Sequence, residues 1–387
     1  MLDSHLPTLE ELEVKLGGIN GKRIIVRADL NVPLSDGKID DDLRIRESGA
    51  TLNWLCDRGA SVVVCSHLGR PASDNDQEFS MKPVRERLLE NFPNVEVLEN
   101  LRFNNGEQKN GEDFVNYLIS GAGGDPFDAY VNDAFGASHR EHASIMGPPM
   151  HLPSAAGFLL LKEVRMVEKI LNNPKRPFVI VLGGSKVSDK LSLIEKMSDV
   201  ADEMLIGGGM CFTFLSAQGV SVGDSLLESE MLDVCVDLLN SDISIRLPLD
   251  FTAMGSDGQI GNPDIETQVR QYGSSIPESW MGLDIGPGSA VDFSDVIMEA
   301  GTVLWNGPMG VFEDPRFAAG TKTIAQAMSE TSAFTFVGGG DSASAVNKFG
   351  LSDSINHVST GGGATLELIE KGDLPGLKVL RESRIES

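Results

Sequence analysis

The sequence predicts an α/β protein of two doubly wound parallel-sheet lobes, Rossmann-like in pattern, joined by a long helix and hinge. Three observations carry that prediction. The chain has 387 residues, more than the ~100–200 usual for one domain. Short apolar runs alternate with stretches of helical periodicity, as parallel strands alternate with crossover helices. The turns after those runs also change chemistry midway, from arginine and histidine to glycine, so each lobe presents its own kind of site. The expected boundaries are 1–172 for the first lobe, closing in an interdomain helix at about 154–172, then 173–372 for the second and 373–387 for a tail able to pack back on the first.

Composition narrows the partners. Fifty-seven acidic against 32 basic side chains give a net charge of -25. Such a surface repels nucleic acid and anionic lipid, so neither is an expected partner. The cysteines Cys56, Cys65, Cys211 and Cys235 form no C-x-x-C pair and no metal-ligand spacing, which reads as reduced thiols. The opening MLDSHLPTLEELE lacks a basic stretch followed by an apolar core, and no run of about 18 apolar residues occurs; a cytoplasmic protein without an anchor is expected.

In chain order, the strand Arg23 to Arg27 delivers Arg27-Ala28-Asp29-Leu30-Asn31, charged and amide groups that must satisfy one another or a ligand. A helix through Trp54 follows, with Arg44 in its first turn, where the dipole favours acids and an anion would compensate. The strand Ser61 to Cys65 runs into Ser66-His67-Leu68-Gly69-Arg70-Pro71. Val95 to Leu98 runs into Glu99-Asn100-Leu101-Arg102, and Asp128 to Val131 into a turn containing His139, Arg140 and His142. Ligands of open α/β sheets lie beyond the carboxyl ends of the strands. Arg27, Arg70, Arg102 and Arg140 are therefore expected on one rim with Arg44 nearby, a setting for a small, multiply charged anion. The two histidines read as hydrogen-bonding or substrate-facing groups rather than metal ligands.

Leu152 to Asn173 reads as one long helix bounded by Pro153 and Pro174, packed between the lobes. Phe178 to Leu182 then runs into Gly183-Gly184, and Val187, Leu191, Ile194 and Met197 recur at helical spacing. On this reading Ser185 caps the helix, and Lys186 and Lys190 share one helical face suited to a polyphosphate. The P-loop spacing G-x-x-x-x-G-K-[ST] is absent. Later strands end in Gly207-Gly208-Gly209, Asn306-Gly307-Pro308, Gly338-Gly339-Gly340-Asp341-Ser342 and Gly361-Gly362-Gly363. Backbone without side chains approaches a flat ring or a phosphate chain closely, so this lobe is expected to hold a nucleotide. Asp341-Ser342 opens a helix, with the serine as cap and the aspartate in reach of a Mg²⁺ held between phosphates.

The strings VRADLNVP, SHLGRP, ENLRF, NDAFGASHREH, GGSKVSDK, WNGPMGVFE, FVGGGDS and STGGGA together resemble, in order and over nearly the whole chain, the phosphoglycerate kinase family. The resemblance implies reversible, Mg²⁺-dependent phosphoryl transfer from 1,3-bisphosphoglycerate to ADP, giving ATP and 3-phosphoglycerate, with hinge closure bringing the substrates in line. It implies phosphoglycerate contacts at Arg27, Asp29, Asn31, Arg44, His67, Leu68, Gly69, Arg70, Arg102 and Arg140, with Arg44 and Lys186 as the catalytic pair from opposite lobes. It implies nucleotide contacts at Lys190, Gly208, Asn306, Pro308, Glu313, Gly339, Gly340, Asp341 and Ser342, with Glu313 on the ribose hydroxyls and Asp341 on the metal. A glycolytic and gluconeogenic enzyme, monomeric, is the expectation. Ser342 stands where the family often has threonine, and Ala137-Ser138 replaces a commoner Thr-Ala; neither removes a charge.

Two rivals fit less well. A nucleotide-dependent dehydrogenase needs G-x-G-x-x-G after its first strand, where this chain has RADLNVP. A catalytically silent nucleotide-binding scaffold would be expected to lose charged site residues, whereas Arg44, Lys186, Lys190 and Asp341 are all present.

Overall fold

The computed structural model describes residues 5–73, 76–262 and 267–383. The chain divides into two compact units, Met1–Met166 with Gly363–Ser387, and Val167–Gly362. The division falls inside the helix Phe158–Asn172 rather than at its end. The helix Gly363–Lys371, read from the sequence as part of the second lobe, belongs to the first unit because it packs on the turn Phe135–Ala137. The tail forms the helix Pro375–Glu382, which lies against Ala143–Met146, with its Gly376 N–H donating to Ser138 O at 2.9 Å.

The first unit is built on β1 (Arg23–Ala28), β2 (Ser61–Cys65), β3 (Glu96–Val97), β4 (Ala129–Asp133) and β5 (Ser154–Ala156), ordered β3-β2-β1-β4-β5. Every pairing is parallel. Its central strands are apolar on both faces because helices cover both. Ile24, Val26, Val62, Val64 and Val131 join Leu52, Leu55, Val84 and Leu88 in one core.

The expected helix over 152–173 is shorter than the periodicity suggested. Pro153 disfavours the helical region for Leu152, and Ser154–Ala156 pair in parallel with Tyr130–Asn132 as the edge strand β5. The helix starts at Phe158, capped from a distance. Asp133 Oδ1 accepts from the Leu159 N–H at 2.9 Å and the Leu160 N–H at 3.3 Å, and Thr51 Oγ1 from the Phe158 N–H at 2.9 Å. Burial pushes the Asp133 carboxyl up to about 7 against the pull of those bonds. Asp133→Ala leaves two buried amides without a partner, so it should cost about 1–2 kcal/mol. A urea midpoint lowered at unchanged slope is the expected reading.

The second unit carries β6 (Phe178–Leu182), β7 (Glu203–Ile206), β8 (Ser244–Arg246), β12 (Thr302–Asn306), β13 (Phe334–Gly338) and β14 (His357–Val358), ordered β8-β7-β6-β12-β13-β14 and parallel throughout. Between β8 and β12 the chain forms a separate antiparallel sheet that the sequence reading did not anticipate, β9 (Phe251–Gly255), β10 (Val269–Tyr272) and β11 (Trp280–Ile285), ordered β10-β9-β11. Val179, Val181, Leu205, Val303, Trp305 and Val337 pack with Phe293, Ile297 and Ile324 as the core. Among the described residues no helix is long and apolar enough to cross a membrane.

Candidate active site

In the first unit the loops after β1, β2, β3 and β4 meet at the carboxyl edge of the sheet. Asp29 Oδ2 pairs with Arg44 Nη1 at 2.8 Å. Asn31 Oδ1 accepts from the Gly69 N–H at 2.7 Å, tying the loop after β1 to the loop after β2. Gly69 has φ +57°, and a Cβ there would lie 2.1 Å from the Phe79 ring, so only glycine closes this turn. Its carbonyl accepts from Arg102 Nη1 at 2.5 Å.

Arg70, Arg102 and Arg140 lie close enough to act on one another's charge, with Arg44 near His67; Arg27 is set deeper. Arg27 is fully buried, donating through Nε to Ser144 Oγ at 2.9 Å, through Nη1 to Ala28 O at 2.5 Å and sharing a 3.0 Å contact with His67 Nδ1. Its guanidinium is spent on the protein, because its side chain projects from within β1 rather than from the loop beyond. In this structure Arg27 supports the His67 ring. Arg102 differs: it is 8% exposed, and its Nε has no hydrogen-bond partner. A buried cation with an idle donor suits an anion.

The field of this cluster is strongly positive. Burial, then the charges of Arg140, Arg27 and Arg70, bring Arg102 down to about 10 despite the opposing pull of Glu107. Burial and the arginines also hold His67 well below its ordinary value, bring His142 down to about 4, and lower His139. All three histidines are thus neutral at pH 7. Because the folded values lie below the unfolded ones, the unfolded chain binds more protons between about pH 6.5 and 4, and stability should fall as pH falls through that window. A bound polyanion offsets the arginines. The His139 and His142 titrations followed by NMR should move to higher pH when a multivalent anion is added, and the acid loss of stability should become shallower.

In the second unit, residues 183–190 form a loop, and the helix begins only at Leu191. The sequence placed Lys186 and Lys190 on a helix capped by Ser185. Instead Val187 and Ser188 donate their N–H groups to Glu228, at 2.5 and 3.2 Å, which holds this stretch out of the helical register. Lys186 is exposed, and Lys190 Nζ donates to Asn306 Oδ1. Asn306 Nδ2 in turn donates to Gly338 O at 2.8 Å. Gly307, at φ +95°, runs so close to Gly183 that a Cβ would lie 2.2 Å from its carbonyl oxygen; this glycine serves loop packing rather than a ligand.

Ser342 likewise does not cap its helix. It is fully buried, and its hydroxyl accepts from the Gly307 N–H at 2.6 Å, while Gly339 occupies the capping position of Gly340–Lys348. Ser342 and Asn306 tie the loops after β12 and β13 together. Beside them opens a cavity of about 380 Å³. Gly208, Pro308, Glu313 and Asp341, four of the predicted nucleotide residues, line it. Leu226, Ile260, Met281, Leu283 and Val311 supply apolar walls.

The loops suit a polyanion in one unit, and in the other a flat apolar group with a polar mouth. A phosphoglycerate kinase family profile matches residues 14–97 and 89–372. The phosphoglycerate kinase of Rubrobacter xylanophilus is 45% identical over 94% of this chain and 96% of that one. The one of Thermosipho africanus is 42% identical over 98% and 100%. The solved phosphoglycerate kinase of Coxiella burnetii superposes with a TM-score of 0.85 at 34% identity, covering 98% of this chain and 99% of its own. The chain belongs to the phosphoglycerate kinase family.

For a member of the phosphoglycerate kinase family, the donor set says what kind of metal site is possible. Among the described residues no three His, Cys, Asp or Glu side chains gather into a metal cluster. Asp341 and Glu313 both line the cavity. One carboxylate, with phosphate oxygens and water completing the shell, fits Mg²⁺, which keeps most of its waters and binds through substrate phosphates.

Sequence reasoning missed several residues that hold these loops in place. Asn100 Nδ2 donates to Leu68 O at 2.7 Å, and its Oδ1 accepts from the Arg102 N–H at 3.0 Å, fixing the loops after β2 and β3 together. Glu107, fully buried, accepts from Ser144 Oγ at 2.7 Å, and Ser144 in turn accepts from Arg27. The only sequence signal was polarity at positions between apolar runs. The cavity walls Met281 and Leu283 come from β11, whose alternation W-M-G-L-D-I was readable as a strand.

Proposed function

We propose that this family member transfers a phosphoryl group reversibly between the acyl phosphate of 1,3-bisphosphoglycerate and ADP, giving 3-phosphoglycerate and ATP. The observation that carries the reading is Arg102, buried with an idle donor in the field of Arg140, Arg27 and Arg70, in a protein of net charge -25. Such a cluster is costly without an anion and is compensated by one. Phosphoglycerate would lie against Asn31, His67, Arg70, Arg102 and Arg140, and the nucleotide against Gly208, Pro308, Glu313 and Asp341.

The attacking atom is a carboxylate or a phosphate oxygen, ionised at neutral pH, so no general base is needed. Neutral His67, His139 and His142 accord with that, since they serve as hydrogen-bonding groups rather than proton carriers. Catalysis then rests on alignment and on neutralising a loose transition state. Arg44 and Lys186 would flank the transferring group. Asp341 would hold Mg²⁺, which when bound spreads the charge of the nucleotide phosphates. Because the anion rim and the nucleotide cavity belong to different units, transfer needs the two brought together, which we assign to closure about the helix Phe158–Asn172. One chain carries both half-sites, so a monomer suffices. The four unpaired cysteines suit the cytoplasm.

The test is incubation with 3-phosphoglycerate, ATP and Mg²⁺ in the presence of hydroxylamine. Hydroxamate that requires all three components is the expected result. A protein that binds ADP yet yields no hydroxamate would overturn the proposal in favour of the silent scaffold.

A further inference from the structure

The loop carrying Lys186 and Lys190 is held from a distant part of the chain. Glu228, 6% exposed, accepts from the Val187 N–H at 2.5 Å, the Ser188 N–H at 3.2 Å and Ser188 Oγ at 2.5 Å. Its own N–H donates to Thr213 Oγ1 at 3.2 Å. Burial pushes its carboxyl up, but the three bonds and the charge of Lys186 outweigh burial and leave it below the ordinary value. The same segment reaches the cavity. Ser225 Oγ accepts from the Gly282 N–H at 2.9 Å, on the strand that also gives Met281 and Leu283, while Leu226 lines the cavity itself.

We propose that Glu228 is a positioning residue for nucleotide phosphates. It fixes the backbone between Lys186 and Lys190 so that both ammonium groups face the phosphates of a nucleotide in the cavity, and the segment Ser225–Glu228 ties that placement to the cavity wall. The inference rests on the reading of the cavity as a nucleotide site. It assigns Glu228 no contact with substrate. Its effect passes through the two lysines, and it therefore acts on the phosphates and not on the ring.

Calorimetric titration with ADP and with adenosine separates those two parts. In Glu228→Ala the ratio of ADP to adenosine affinity should fall about tenfold or more, the worth of one charge-assisted hydrogen bond. Glu228→Gln, which keeps one acceptor, should lose less. Adenosine affinity should stay within about twofold in both, showing that the cavity is still formed. A ratio unchanged in the glutamine variant and, where it folds, the alanine variant would overturn the proposal. So would a parallel loss of ADP and adenosine, which marks a merely structural role. Failure of the unmodified protein to bind ADP would defeat the nucleotide reading and this proposal with it, and is told apart because no variant enters that comparison.

Discussion

Replacing Lys186 by alanine is expected to lower kcat by roughly 10²–10³-fold while leaving KM for 3-phosphoglycerate within about twofold. The argument is one of location. Lys186 lies on the loop after β6, exposed, in a different unit from the arginine rim that would bind phosphoglycerate. Its removal takes away a positive charge aimed at the nucleotide phosphates and at the charge gathering on the transferring group, and none that touches bound phosphoglycerate. An interaction made in the transition state and not in the ground state appears in kcat and leaves substrate binding alone. Steady-state kinetics at saturating nucleotide read the two parameters directly. Equal losses in kcat and phosphoglycerate affinity would remove Lys186 from the catalytic role.

Arg102→Ala should act in the opposite way, through binding. Truncating one member of a desolvated, hydrogen-bonded charge pair costs about 2–5 kcal/mol. An anion held by the Arg102 guanidinium should accordingly bind at least about thirtyfold more weakly in the variant. The apo protein has less to lose, since Arg102 faces Arg140, Arg27 and Arg70 at close quarters. The clearest readout is linkage: 3-phosphoglycerate should raise the Tm of the unmodified protein and leave that of the variant nearly unchanged. An equal rise in both would place the anion elsewhere.

The strand ends were legible because each carries an abrupt change from apolar to charged or to glycine, and the parallel topology sends all of those ends to one edge. Arg102, Gly208 and Asp341 could be located at that edge on this basis alone, whereas Arg44 was read from the first turn of a helix. Arg27 could not, because one residue decides whether a side chain belongs to the strand or to the loop beyond it, and β1 continues to Ala28. The helix phase after β6 misled for a related reason. Val187, Leu191, Ile194 and Met197 keep helical spacing, but Glu228 competes for the amides of Val187 and Ser188 from 40 or more positions away. Tertiary hydrogen bonds of that range leave no local signature. Ser342 has helical company and a hydroxyl, yet its partner is the Gly307 amide on a neighbouring loop. The antiparallel sheet that walls the cavity was written in short alternating runs, which went unread beside the stronger parallel strands.

The central claim is that the phosphoryl group passes directly between the two substrates, with Arg44 and Lys186 neutralising charge and no protein group as carrier. Among the described residues lining the cavity of the second unit there is no histidine or cysteine. The most direct test is the stereochemical course with ATP bearing a γ-thiophosphoryl group made chiral by oxygen isotopes, with 3-phosphoglycerate as acceptor. A single in-line displacement predicts inversion at phosphorus. Retention would require two displacements through a phosphorylated side chain and would contradict the account.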